Sequence, residues 1–396
     1  MTEPLDVILL VNHPGMLHER LAGMTLLERQ LFTLRNAGVR RVLLSAHTPG
    51  TAALASLRRP AGLEIILQDE LKTPWTPPYA SVSADHLLRS DAVASLLKRP
   101  HAQPTAYHDE AGRSVVQFTP FSDENAPTCE RALMPAGSCL ALENPLDGEP
   151  TMAWLFRDAG KSHDSFMARH FDRRLSTALS RRLLDTRITP NAMTVFSTLV
   201  GVFGAALMAY GGYAATLAGT LVVWAHTVFD GCDGELARLR FQQSALGGFL
   251  DFWGDNVVHA CLFFGLGVGL MRSMGGIHFL LIGAAAAVGA LLTAWDVYRH
   301  RAAHAEPGRP LFDGLGEQLA SESSAASPAL RRLAALEDAL ARRDFVYLLI
   351  LLAWIDYPEA FLWAAGIGTP LFLWALIYLR HAGEGRTLSA PLRRTS

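Results

Sequence analysis

Cysteine and charge are sparse in this sequence. Its four cysteines, Cys129, Cys139, Cys232 and Cys261, show no metal-ligand spacing, and two of them stand in or near apolar runs, which argues against a disulfide framework. Charged residues make up 18% of the 396 residues against 50% hydrophobic, and the formal net charge is -2. Arginine and lysine gather beside apolar runs, a pattern that speaks for membrane orientation and for no nucleic-acid partner. The opening MTEPLDVILLVNH has no basic n-region and too short an apolar run for a signal peptide, so the N-terminus is expected to stay in the cytoplasm.

What the sequence does have is apolar length in its second half. After Thr189-Pro190-Asn191, a helix-start signal with proline near the first turn, six apolar spans follow at about 191–212, 213–234, 246–271, 275–298, 344–356 and 358–380. A crossing helix needs about 20 residues. The fifth span falls short unless its helix starts within 330–343.

Between and inside those spans, residues 230–255 read DGCDGELARLRFQQSALGGFLDFWGD. The spacing is D-x2-D-G-x2-A-R-x8-G-x3-D-x3-D, carried by Asp230, Asp233, Gly234, Ala237, Arg238, Gly247, Asp251 and Asp255. At about 100° per residue, Asp230, Asp233 and Ala237 share one helix face, and Asp251 and Asp255 share a face of the next helix. Acids at the rim of a membrane each cost several kcal/mol to desolvate, so cations must neutralise them, and carboxylate oxygens suit Mg²⁺ or Mn²⁺. Two metals held by carboxylates stabilise charge on a phosphoryl group in transfer. Gly234, Ala237, Gly247 and Gly248 would let a nucleotide diphosphate approach helix backbone, and Arg238 can contact a phosphate or a carboxylate.

With all eight positions present, the stretch resembles the signature of the CDP-alcohol phosphotransferases (CDP-alcohol phosphatidyltransferases). The resemblance implies a homodimeric, six-helix membrane enzyme in which an acceptor hydroxyl attacks the pyrophosphate of a CDP-alcohol and CMP leaves. It implies that Asp230, Asp233, Asp251 and Asp255 hold two divalent cations, with Asp255 also the general base. It further implies that Asp230, Gly234, Ala237, Arg238 and Gly247 form the CDP-binding surface. His259, one turn beyond Asp255, could tune Asp255 or contact the acceptor, but a buried histidine serving a neighbouring carbonyl is the commoner case, so it stands outside the catalytic set.

Residues 1–155 read as a soluble α/β domain: 6–11, 41–45, 64–67 and 114–118 are strand-like, and 25–37 has helical periodicity that Gly38 ends. The alternation favours a parallel, doubly wound sheet. The segment AGMTLLERQLFTLRNAGVRRVLL at 22–44 resembles part of a nucleotidyltransferase domain, as in fused inositol-phosphate cytidylyltransferase/phosphotransferase proteins. That resemblance implies a glycine-rich, arginine-containing loop after the first strand, but VNHPGMLHER stands there with only Gly15 and Arg20. Asp85 could match the metal-binding aspartate of such a domain or could be a turn residue. The expectation is a degenerate domain with a structural, binding or regulatory role.

Residues 161–185 alternate Phe166, Met167, Phe171, Leu175, Leu179 and Leu183 with arginines, an amphipathic basic helix suited to a membrane surface. The expected organisation is therefore 1–155 cytoplasmic, 156–188 interfacial, 189–382 a six-helix all-α transmembrane domain and 383–396 a cytoplasmic tail. Arginines fall beside the termini and the second-to-third and fourth-to-fifth connections, with little more than Arg272 opposite, so termini and acids are expected to face the cytoplasm of an inner or plasma membrane. Arg299 and Arg343 are candidates for gripping a phosphate on the acceptor alcohol, or else membrane-surface anchors. The donor is expected to be of the CDP-diacylglycerol or CDP-inositol type, with phospholipid or inositol-phosphodiester synthesis as the outcome. A bifunctional enzyme that also makes its CDP-alcohol, and a non-catalytic membrane scaffold, are the alternatives.

Overall fold

The computed structural model describes residues 6–44, 57–67, 78–101, 103–120, 129–143, 146, 148–160, 167–303 and 345–387. Two compact units are present: Met1–Gly160 with Leu239–Phe241, and the remainder from Lys161 onward. The second unit's fifth-span extension, expected within 330–343, and Arg343 lie outside the described residues.

The strands of the first unit are β1 (Asp6–Leu10), β2 (Arg20–Leu21), β3 (Met24–Thr25), β4 (Arg41–Leu44), β5 (Glu64–Leu67), β6 (Tyr79–Ser83), β7 (His86–Leu88), β8 (Thr105–His108), β9 (Ser114–Thr119), β10 (Glu130–Leu133) and β11 (Cys139–Ala141). Seven of them form one sheet in the order β10-β8-β9-β6-β1-β4-β5. Helix α1 (Leu26–Asn36) starts where Thr25 and Glu28 cap each other's backbone, and Gly38 at φ +96° turns the chain back into β4. Parallel pairing holds from β6 through β1 and β4 to β5. It fails at β9, which runs antiparallel to both β6 and β8, so the sheet is mixed and not wholly parallel. The physical cause is a tight turn: the Gly112 N–H bonds to the Asp109 carbonyl at 3.0 Å with Gly112 at φ +80°, so β9 returns directly beside β8. Helices α2 (Ser90–Leu97) and α3 (Glu149–Asp158) complete the unit.

Leu239–Phe241 pack as part of this unit. Arg29 donates to the carbonyls of Leu21 at 3.1 Å and Leu239 at 2.8 Å, and Arg58 donates to those of Arg240 and Phe241 at 2.9 and 2.6 Å. Burial, opposed by Asp158, lowers the Arg29 pKa to about 10, which leaves it charged at neutral pH.

The second unit is helical. Its elements are a π turn at Ala168–Asp172, α4 (Arg173–Leu183), α5 (Pro190–Tyr210), α6 (Tyr213–Leu239), α7 (Ala245–Met274), α8 (Ile277–Ala303), α9 (Phe345–Trp354) and α10 (Pro358–Thr387). Among the described residues, α5, α7, α8 and the stretch Pro358–Tyr378 of α10 are long and apolar enough to cross a membrane. Helix α6 carries the acidic signature, and α9 has 10 residues. Val258, Leu262 and Leu266 of α7 meet Leu349 and Leu362 in the core, whereas Leu199, Phe203 and Leu281 stay about 60% exposed, as lipid-facing side chains would. Helices α5 and α7 cross closely because Gly265 and Gly269 lie directly against the carbonyl oxygens of Ala205 and Met208.

Candidate active site

Three helix ends build the site. Helix α5 begins at Thr189, whose hydroxyl caps the Ala192 N–H at 3.2 Å, with Pro190 in the first turn. One turn later Thr194 Oγ1 donates to Asp233 Oδ2. Asp230 and Asp233 stand one turn apart near the end of α6, and Asp251 stands in the second turn of α7, which Ser244 caps through the Gly247 N–H at 3.0 Å. One oxygen from each of Asp230, Asp233 and Asp251 lies within 4.8 Å of the other two, and Asp230 and Asp233 are each only 5% exposed. Three hard oxygens converging in a buried place suit a divalent cation, because like charges so close and so dry are otherwise costly.

Asp255 follows one turn along α7, and its Oδ1 is 3.5 Å from His226 Nε2. The other ring nitrogen of His226, Nδ1, is 2.9 Å from the Ser197 carbonyl oxygen, so Nδ1–H donates there and Nε2 is left toward Asp255. The sequence reading had no place for His226. Its signal was available, since a residue four before Asp230 shares that aspartate's face. His259 instead sets its ring against Phe345 at 5.1 Å.

The remaining signature positions surround these acids. The Arg238 guanidinium lies over Gly234: a β carbon there would stand 2.9 Å from Nη1. Gly247 admits the side chain of Asn191, whose Oδ1 would be 2.9 Å from a β carbon at that position, and Ala237 is half-buried. Gly247 therefore serves the approach of α5 to α7 as well as any ligand. Arg299 is exposed in the last turns of α8, while its companion candidate Arg343 falls outside the described residues. In the first unit, Asp85 accepts from Asn12 Nδ2 at 2.7 Å and lies 3.4 Å from His13 Nδ1, after β6.

A bundle of apolar helices that gathers carboxylates beside an arginine lying over a glycine fits a membrane-embedded phosphotransferase. The family model described as CDP-alcohol phosphatidyltransferase matches residues 187–312, the stretch that holds every one of those carboxylates. The bifunctional IPC transferase and DIPP synthase of Rubrobacter xylanophilus is 30% identical over 376 residues, 75% of this chain and 81% of that protein. The chain belongs to the CDP-alcohol phosphatidyltransferase family and is a CDP-alcohol phosphotransferase. The phosphatidylinositol phosphate synthase of Mycobacterium tuberculosis is 34% identical over 101 residues, 26% of this chain and 46% of that enzyme. A solved structure of the Mycobacterium tuberculosis phosphatidylinositol phosphate synthase with CDP-DAG bound covers 52% of this chain and 92% of its own, at a TM-score of 0.38 and 19% identity.

Proposed function

We propose that this protein moves a phosphoalcohol or phosphatidyl group from a CDP-linked donor to an alcohol acceptor and releases CMP. The observation that carries the proposal is the convergence of Asp230, Asp233 and Asp251. With Asp255 they would hold two divalent cations, Mg²⁺ or Mn²⁺, which when bound supply charge neutralisation at the donor pyrophosphate and at the departing CMP. Asp255 takes the proton of the acceptor hydroxyl, with the His226 ring 3.5 Å away. Arg238 meets the donor's phosphates, and Gly234, Ala237 and Gly247 leave backbone room for the CDP moiety. Thr194 fixes the rotamer of Asp233. Position and charge do the catalysis, with no covalent enzyme intermediate.

Likeness to the Rubrobacter relative over 75% of this chain and 81% of that protein favours a soluble donor of the CDP-inositol type over CDP-diacylglycerol. CMP release from each donor, with a panel of acceptors including phosphorylated alcohols, tests this in the full-length protein with Mg²⁺ and after chelation. The expected result is release that stops with chelation and returns with Mg²⁺ or Mn²⁺. Release that survives complete metal removal refutes the two-metal reading, and no release from any CDP-alcohol refutes the function.

The first unit is read as nucleotidyltransferase-like and as having lost its own chemistry. β1 is followed by the 3-10 turn Pro14–His18 with a single glycine, Gly15, where a triphosphate cradle would need a run of backbone donors. The full chain incubated with CTP and alcohol phosphates is expected to yield no CDP-alcohol; any formed makes the protein bifunctional. Positive charge beside the α6–α7 connection supports reading the acids, both termini and the first unit as cytoplasmic, in what we propose is a six-helix homodimer. A membrane-impermeant thiol reagent should then label the exposed Cys129 in inverted vesicles and spare it in intact cells.

A further inference from the structure

The face of α6 turned away from the carboxylates is occupied, and by polar side chains. At about 100° per residue, Trp224, Gly231 and Glu235 fall within about 40° of one another, roughly opposite the arc of Asp230, Asp233 and Ala237. Against that back face lies the segment formed by the π turn and α4. Asp172 accepts from Trp224 Nε1 at 3.0 Å and from the Tyr347 hydroxyl of α9. One turn later Ser176 Oγ donates to Glu235 Oε1 at 2.8 Å, and Arg173 Nη1 reaches the same oxygen at 3.2 Å. The two helices nearly touch there, because a β carbon on Gly231 would meet Ser176 Cβ at 3.2 Å.

Burial makes these contacts informative. Glu235 and Ser180 are 0% exposed, Ser176 2% and Asp172 8%, whereas Phe171 and Leu175 are 54% and 47% exposed. The segment thus presents its polar stripe of Asp172, Ser176 and Ser180 to α6 and keeps an apolar stripe outward. Apolar burial is non-directional and tolerates sliding, but hydrogen bonds to a buried carboxylate fix both rotation and height. Burying Glu235 is expensive, and fixing register is the best-attested return on such a cost. The register in question is that of the helix bearing Asp230 and Asp233. Rotating a helix by about 20° moves a carboxylate about 6 Å from its axis by roughly 2 Å, whereas metal-ligand distances tolerate about 0.2 Å.

We infer that Glu235 is a positioning residue for the acid face of α6: held by Arg173 and Ser176, it sets where Asp230 and Asp233 stand relative to Asp251 and Asp255. This rests on the proposed metal role of those aspartates. The test is Mn²⁺ binding to the full-length protein in nanodiscs without donor, read by electron paramagnetic resonance, together with the metal dependence of CMP release. Glu235→Ala is expected to weaken Mn²⁺ binding about 10- to 100-fold, and Glu235→Gln, whose amide oxygen still accepts from Ser176 and Arg173, by no more than about threefold. A role in stability alone would lower the melting temperature and leave the Mn²⁺ affinity of folded protein unchanged, and that result overturns the inference. Should Glu235→Ala fail to accumulate, Ser176→Val removes the donor from the other side and carries the same test: Mn²⁺ affinity falls, or the inference is wrong. Wild-type protein that binds no Mn²⁺ would instead refute the metal site itself, a separate failure.

Discussion

Asp255 and His226 come from different helices and meet with 3.5 Å between Oδ1 and Nε2. Because the Ser197 carbonyl takes the Nδ1 proton, the imidazole is oriented before any substrate arrives, with Nε2 toward Asp255. Two outcomes follow from this division of labour. Asp255→Asn keeps the shape and loses the proposed base, so CMP release should fall by about a thousandfold or more while a CDP analogue still binds by calorimetry; wild-type rates would remove Asp255 from the role of base. His226→Leu removes only the orienting group. Its kcat should drop about 10- to 100-fold with donor KM little changed, and an unchanged kcat would show that Asp255 needs no such support.

At the scale of helices, glycines of two kinds have opposite expected effects. Gly269 of α7 sits against the Met208 carbonyl oxygen of α5, backbone against backbone, so Gly269→Ala must force those helices apart. Overpacking of this sort costs about 1–3 kcal/mol and should lower the melting temperature in detergent. Gly234 faces the flexible guanidinium of Arg238, with a β carbon 2.9 Å from Nη1. Gly234→Ala should therefore melt like wild type and raise donor KM several-fold as the guanidinium is displaced; a normal KM would detach Arg238 from the donor. The same elements show what a sequence can disclose. Helices α5 to α8 were legible because apolar length and a Thr-Pro start are local signals, and so were β1, α1, β4, β5 and β9. Strands β8 and β10 were not. Glu130–Leu133 is largely exposed at the sheet edge and shows no alternation, and the antiparallel seating of β9 depends on partners about 10 to 40 residues away that no local pattern names. In the site, the meeting of Asp230, Asp233 and Asp251 was legible from spacing, whereas the clasp of Glu235 by Arg173 and Ser176 joins residues 62 and 59 positions apart.

The whole molecule carries two compact units, and the described carboxylates of the first differ in how folding shifts them. In the first, Asp109 is nearly buried, accepts from the Arg113 backbone N–H at 2.8 Å and its Nε at 2.7 Å, and lies 3.2 Å from His86 Nε2. Desolvation raises the carboxyl pKa, but the Arg113 bonds, the His86 contact and the Arg113 charge outweigh it and hold the value at about 2, below the ordinary 3.8. A depressed folded-state pKa means stability that is fully present above the unfolded value of 3.8 and is lost as pH falls through about 2. Asp158 has the opposite sign: burial raises its pKa despite Arg89, so protonation there relieves a cost, and it cannot be the source of acid lability. Pepsin, active across this range, should therefore cut the full-length protein progressively faster within 78–120 as pH drops from about 4 to 2, while α7 resists because its core contacts are apolar. Asp109→Asn replaces the titrating group, so its first unit should be cut faster than wild type at pH 4 and show little further change toward pH 2. If the variant keeps the wild-type pH slope, another carboxylate governs the acid response, and the Asp109–Arg113–His86 cluster is only a passenger in the fold.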